Sequence, residues 1–368
     1  MIVARDAGRR SITFVVNGGA GSSAATRAER IARALRPHST EILLRESSRR
    51  TVVGLARQAR RIPADLIYCV DLAFVPLAVA CVARPMTPMI VDTGDYPSAF
   101  FRQVRAGQGR ILLARLMEEV AYRRAAGMVV RGPHHAAILR GHGVSNIRVI
   151  PDGVDLTMVE PVDVSDLRRR LGLSDVMTIG IAGAFTWFPA AGGGLGWELV
   201  QTLARVRDKP VHGVLIGGGP GLVHLRQLAH DLGVSERLHI LGHVPYSDYA
   251  RYVSLIDVCL LTQTNDPSSW VRTTGKLPGY LALDRYVLAS AVGTATEVLP
   301  PEMLVEYHGS WDPTYPDRLA AKVSELLEHP RRLATGAGVQ PLVAPYSYDT
   351  VAGQAAAFIL ELLERADR

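Results

Sequence analysis

Short apolar, β-branched runs alternate with longer stretches of helical periodicity along the whole chain. Such alternation is the signature of βαβ units, and βαβ units build parallel sheets. In the first half it predicts strands at Ile12–Val16, Glu41–Leu44, Leu66–Val70, Met89–Asp92, Met128–Val130 and Arg148–Ile150. Helices are predicted at Thr26–Leu35, Ser48–Arg60, Phe74–Val82, Gln108–Ala125 and His134–Arg140. The turn Pro151-Asp152-Gly153-Val154-Asp155 then breaks the series, as proline and glycine do.

A fresh series starts beyond Pro161. Its strands are predicted at Thr178–Ala182, Gly213–Ile216, Leu238–Leu241, Val258–Leu261 and Tyr286–Ser290. Its helices are predicted at Leu195–Arg205, Leu222–Leu232, Tyr246–Ser254 and Lys276–Leu283, with closing helices at Pro316–Glu328 and Thr350–Ala366. No short internal repeat is visible. The chain has 368 residues, 48% of them hydrophobic, which is too long for one ordinary core and suits two. The expected architecture is α/β, with two Rossmann-like doubly wound domains over 1–155 and 156–345 and a terminal helical segment over 346–368.

Composition narrows the compartment and the partners. Cys69, Cys81 and Cys259 follow no metal or disulfide spacing and read as reduced core thiols of a cytoplasmic protein. No apolar run is long enough for a transmembrane helix, and Met1–Arg10 lacks the apolar region of a signal peptide. The formal charge of +6 is unevenly spread, since Met1–Arg61 holds thirteen Arg against four acids. That is either a surface drawn to anionic lipid or a phosphorylated ligand, or an ordinary solvated face. Aromatics do not interleave with the arginines, so nucleic acid is not an expected partner.

Four segments carry candidate chemistry. Asn17-Gly18-Gly19-Ala20-Gly21-Ser22 follows the first strand, where bunched glycines and a helix N-terminus can approach a phosphate or a sugar. Its spacing is not that of a dinucleotide fingerprint. Gly217-Gly218-Gly219-Pro220-Gly221 stands at the carboxyl end of a second-half strand, the end at which open α/β sheets bind ligands. Arg272-Thr273-Thr274-Gly275-Lys276 combines two cations, two hydroxyls and a helix start, a set suited to a diphosphate. Lys276 is conspicuous because the chain has only two other lysines, Lys209 and Lys322. Asp92-Thr93-Gly94-Asp95 ends a first-half strand; its acids are either cleft groups for acid–base or acceptor chemistry, or turn caps. No histidine pair has metal-ligand spacing, so no metal is expected.

The order of these segments resembles the retaining glycosyltransferases of family four, which have the GT-B fold. The resemblance rests on Gly18 and Gly19, the acidic pair Glu118-Glu119, the strand at Gly127–Val130 and the turn Val149 to Asp155. In the second half it rests on Gly180-Ile181-Ala182-Gly183, Leu215 to Pro220, Leu238 to Val244, Ile256 to Leu261, Lys276 to Ala282, Arg285 to Ser290, Gly293 and Glu297. It implies two domains facing across a cleft, an acceptor-side first domain and a nucleotide-sugar second domain. It also implies a donor that is a UDP-sugar, transfer with retention, no cofactor, and a terminal helix returning to the first domain. Asp92, Asp95, Arg272 and Lys276 are then the expected catalytic groups. Gly18, Gly19, Gly21, Gly183, Gly218, Gly219, His243, Thr273, Thr274, Gly293 and Thr294 are the expected donor-binding groups. The acceptor would be a small molecule, a glycan or a lipid-linked compound, with weak peripheral membrane association.

Three departures qualify the expectation. Gly279 stands where the family has a ribose-binding Glu, and Val271 where it has an earlier acid. Ala184 to Phe188 replaces a segment that usually carries Arg and Lys, and Asp92 to Asp95 replaces a first-domain His. The alternative is therefore a non-catalytic GT-B protein that binds a nucleotide, a sugar or a partner transferase. Another GT-B activity, epimerisation or phosphorolysis, would need acids, a His or a Lys that the sequence does not visibly supply.

Overall fold

The computed structural model describes residues 9–45, 52–189, 192–272, 274–329, 333 and 337–367. Two six-stranded parallel sheets account for the architecture. The first uses β1 (Ser11–Val16), β2 (Ser39–Leu44), β3 (Leu66–Val70), β4 (Met89–Thr93), β5 (Gly127–Val130) and β6 (Ile147–Val149), in the order β2-β1-β3-β4-β5-β6. β3, β4 and β5 are buried along their whole length, as continuous apolar runs covered by helices on both faces must be.

The second sheet opens with β7 (Met177–Ala182). A two-stranded hairpin, β8 (Trp187–Phe188) and β9 (Gly193–Gly194), follows. The sheet continues with β10 (Val211–Ile216), β11 (Leu238–Gly242), β12 (Val258–Leu261), β13 (Tyr286–Ser290) and β14 (Leu304–Val305). Its order, β11-β10-β7-β12-β13-β14, reverses between β7 and β12. Crevices for ligands open outside the carboxyl ends of strands at such a reversal.

Two passages join the sheets. Val154 donates to the Tyr346 carbonyl at 2.8 Å and accepts from the Tyr348 N–H at 3.0 Å, so the outgoing and returning chains run side by side. Glycine at 153 is required there, because an added Cβ would lie 2.5 Å from the Tyr348 ring. The helix Tyr348–Ala366 then packs into the first sheet's core through Val351, Ala355, Phe358, Ile359, Leu362 and Leu363. Gly127 makes room for Phe358, whose ring would be 2.6 Å from a Cβ at that position.

The elements differ from expectation in a few places. The helix expected at Ser48–Arg60 is described from Val52 to Arg61; residues 48–51 lie outside the described residues. A short helix at Pro97–Gln103, with proline in its first turn, was not expected, although Pro97 is a favourable start. Further unexpected short elements are the helices at Ser165–Arg170, Pro267–Trp270 and Ala295–Val298, the β8–β9 hairpin and the edge strand β14. All are too short to carry a readable period.

Candidate functional site

The loops that leave β7 and β12 wall a cavity of about 400 Å³ at the reversal of the second sheet. Ala184, Thr186 and Phe188 follow β7, and Thr262, Gln263 and Thr264 follow β12. Phe100, Gln103 and Val104, in and just after the short first-sheet helix, close the opposite wall. The walls are hydrogen-bonded to each other. Gln103 donates to Thr264 Oγ1 at 2.7 Å and accepts from Ser268 Oγ at 2.8 Å. A cavity of this size is ample for a small ligand or for part of a larger one.

Arg272, Thr274 and Lys276, read from sequence as a diphosphate set, all line it. Thr273 lies outside the described residues. Lys276 is half-buried, with its stem against Gly183; a Cβ at 183 would be 2.6 Å from Lys276 Cε. Burial, and then the neighbouring Arg272 charge, lower the Lys276 pKa to about 8. Thr274 Oγ1 is buried without a hydrogen-bond partner among the described residues. Arg272 crosses the cleft, donating from Nε to Asp95 Oδ1 at 2.8 Å, and its guanidinium carbon lies 5.0 Å from the Phe100 ring centre. Two cations beside a buried hydroxyl that has no partner among the described residues make a ready site for an anion.

Glu198 adds a group that the sequence reading did not single out. It lies in the first turn of the helix Trp197–Arg205, lines the same cavity and is only 6% exposed. No ion pair to it exists among the described residues, and burial raises its pKa to about 7. Tyr307, whose hydroxyl is buried without a hydrogen-bond partner among the described residues, and Trp311 line the wall beside it. The available signal was an acid one residue into a helix behind a glycine cluster, too weak to select Glu198 by itself.

Asp92, expected as a catalytic acid, is instead a structural one. It is 0% exposed, and its two oxygens are taken by Arg27 Nε at 2.7 Å, Tyr68 Oη at 2.6 Å and Arg131. Burial pushes its carboxyl up, but the Arg131 and Arg27 charges prevail and hold it down at about 2. Nearer the cleft, burial and then the Asp95 charge raise Asp71 to about 7. Asp71 directly follows β3 in a left-handed conformation, φ 71°.

The remaining expected donor contacts do not line the cavity. Gly18, Gly19 and Gly21 stand at the end of β1, where Ser22 caps the following helix by accepting from the Ala25 N–H at 3.2 Å. Gly219 is needed by the protein itself, because a Cβ there would collide with the Phe185 carbonyl. Gly218 leaves open space. Gly293 adopts φ 56° against the Trp270 carbonyl, Thr294 is buried, and His243 is exposed beyond β11. Position 279 has no room for an acid, since a Cβ there would lie 2.5 Å from Tyr249 Oη. Val271 is fully buried.

Comparison with known proteins bears on the fold and on part of the chain. Residues 179–329 match the family described as glycosyl transferases group 1. Over 229 residues the chain is 29% identical to a GDP-mannose-dependent alpha-(1-6)-phosphatidylinositol monomannoside mannosyltransferase of Mycobacterium tuberculosis. That match covers 58% of the chain and 56% of the relative, so the chain matches only about half of that relative's length. Sucrose-phosphate synthase from Thermosynechococcus elongatus superposes with a TM-score of 0.76 at 18% identity, covering 97% of this chain and 100% of that one. Anabaena HepE in complex with UDP-glucose gives 0.75 at 19% identity, covering 96% and 100%. At these identities the superpositions speak for the fold. Residues 179–329, which supply most of the cavity wall, are thus the part of the chain that matches the glycosyl transferases group 1 family, and the two sheets around the cleft have the GT-B fold of the superposed structures.

Proposed function

We propose that the protein is a glycosyltransferase that takes a sugar from a nucleoside-diphosphate sugar bound in the cavity between β7 and β12. The observation that carries this reading is the convergence of Lys276, Arg272 and the buried Thr274 hydroxyl in one cavity with Glu198. The cations would meet the charge of the diphosphate, and no metal or cofactor is needed for that role. Glu198 would accept hydroxyls of the sugar, with Trp311 as an apolar wall. In the reaction the bond from the anomeric carbon to the diphosphate oxygen breaks, and an acceptor oxygen takes its place. The acceptor proton and the nucleoside diphosphate leave as products. Positioned cations that stabilise the departing diphosphate are the main catalytic device available here. We propose retention at the anomeric carbon, a UDP-sugar as donor and a lipid-linked acceptor. Retention and the UDP-sugar follow from the family resemblance, and the acceptor class from the glycolipid acceptor in the relative's name.

A second reading, a nucleotide-binding protein without transferase activity, is favoured by one feature: Tyr249 fills the space at Gly279 that a ribose-binding acid would need. Calorimetric titration with UDP, GDP, UDP-glucose and GDP-mannose, without acceptor, tests the site. Binding of one nucleotide and of its sugar, followed by slow hydrolysis of that sugar, supports the transferase. Binding without any turnover supports the second reading, and no binding by the folded protein removes both.

A further inference from the structure

The helix Gln108–Arg124 buries one side in the first domain and leaves an apolar stripe on the other. Ile111, Ala114, Glu118 and Ala121 are buried. Leu112, Leu113, Leu116 and Val120 are 59%, 50%, 57% and 42% exposed. Leu112, Leu116 and Val120 follow one another at i, i+4 and i+8. With Leu113 beside them they cover an arc of roughly 100° on the outer surface. Arg115 borders one edge of that arc, Arg110 and Arg124 the other, and Arg123 closes its end. Glu119 is the one acid on the exposed side, and it is paired with Arg123. Arg124 reaches the Pro85 carbonyl, which brings Met86, 92% exposed, to the end of the stripe.

We propose that this face is a membrane-docking surface and that its occupant is an anionic lipid bilayer. An exposed leucine stripe edged by arginines fits the boundary between headgroups and acyl chains. The apolar side chains enter the boundary while the guanidiniums bend back to the phosphates. Charge selects among occupants. A second copy docked about a twofold axis would set the same arginines against each other, whereas an anionic lipid surface neutralises them. The surface also adjoins the cleft in sequence. The helix Pro97–Gln103, which supplies Phe100 and Gln103 to the cavity wall, precedes it directly. Docking here would hold the cleft near the bilayer. The proposal does not depend on transfer chemistry, because lipid binding needs no donor.

The test is co-sedimentation of the full chain with vesicles of phosphatidylcholine, alone or mixed with phosphatidylglycerol. Two variants are compared, Leu112→Gln/Leu116→Gln and Arg110→Gln/Arg115→Gln. The native protein should bind the anionic vesicles and little of the neutral ones. Each variant should bind them on the order of tenfold more weakly, the first through lost apolar insertion and the second through lost attraction. All four positions are exposed, so unchanged thermal midpoints show that the fold is intact. Equal binding by native protein and variants overturns the proposal. So does absence of vesicle binding, including a Leu112-dependent dimer that binds no lipid, which would make a second copy the occupant. A nucleotide titration that fails beside successful sedimentation counts against the transferase reading alone.

Discussion

Arg272 of the second domain and Asp95 of the first meet across the cleft at 2.8 Å. Their side chains are 36% and 49% exposed, so the pair adds little to stability. Its consequence is for the ligand, since the guanidinium that faces the cavity is already held by an acid from the opposite wall. Asp95→Asn should therefore strengthen binding of UDP or GDP several-fold. Arg272→Ala should weaken it by about tenfold or more. Calorimetry on both variants checks the pair, and a weaker nucleotide complex in Asp95→Asn would contradict it.

Lys276 makes the cavity sensitive to alkali. Its ammonium is charged below about 8 and neutral above, so nucleotide affinity should fall as pH rises through that value. Lys276→Ala should weaken binding by about 1.5–3 kcal/mol at pH 7 and flatten the profile. Stability moves the other way. An unfolded Lys keeps its proton to about 10.5, so the unfolded chain binds more protons between 8 and 10.5 and the native state gains as pH rises there. Thermal midpoints across that range, native against Lys276→Met, measure the effect.

Glu198 predicts a split between nucleotide and nucleotide sugar. Glu198→Gln should leave UDP or GDP affinity unchanged and weaken binding of the matching sugar nucleotide. The folded carboxyl holds its proton to about 7, against 4.5 when unfolded. The folded chain thus binds more protons in that window, and stability falls as pH rises from 4.5 to 7. At pH 8 the Gln variant should be more stable by on the order of 2–3 kcal/mol, and near pH 4 the two should converge. Equal melting of both proteins at pH 8 would mean that Glu198 is not a strained buried acid.

The Asp92 cluster should behave as scaffold. Asp92→Asn leaves Arg27 and Arg131 buried beside a neutral partner and is expected to lower stability by about 3–5 kcal/mol. The Asp92 carboxyl is held near 2, below its unfolded value. Its contribution is therefore present above the unfolded pKa and lost as acid carries the pH down through about 2. Chemical denaturation at neutral and acidic pH reads both effects.

Restoring the missing acid should fail unless room is made for it. Gly279→Glu places its Cβ against Tyr249 Oη and is expected to destabilise the second domain by about 1–3 kcal/mol through overpacking. Gly279→Glu with Tyr249→Ala should recover part of that loss. If the single variant melts like the native protein, the Tyr249 contact is not the reason for glycine at 279.

The sheets were legible because buried parallel strands write themselves as apolar runs. β3, β12 and β13 fall within the runs that predicted them. That Arg272, Thr274 and Lys276 would share one cavity was legible because they lie within five consecutive residues. What the sequence hid was pairing at a distance. Arg27 is 65 residues from Asp92 and Arg131 is 39, so a strand-end acid aimed at a cleft and one sealed beneath it look alike. Glu198 was hidden for the same reason. It becomes conspicuous only in the folded cavity, where it is buried beside Tyr307 with no ion pair among the described residues. Helix Pro97–Gln103 was missed because seven residues, two of them adjacent phenylalanines, show neither period.

The helix Tyr348–Ala366 supplies a whole side of the first domain's core, against the helix Ser23–Ala34. On the ribosome, therefore, the half of the protein made first cannot be the half finished first. The β1 sheet must wait with its apolar face open until the entire second domain has been synthesised. A stalled or prematurely ended chain would then be a target for chaperones or proteases at its amino-terminal half, however well its later half had folded.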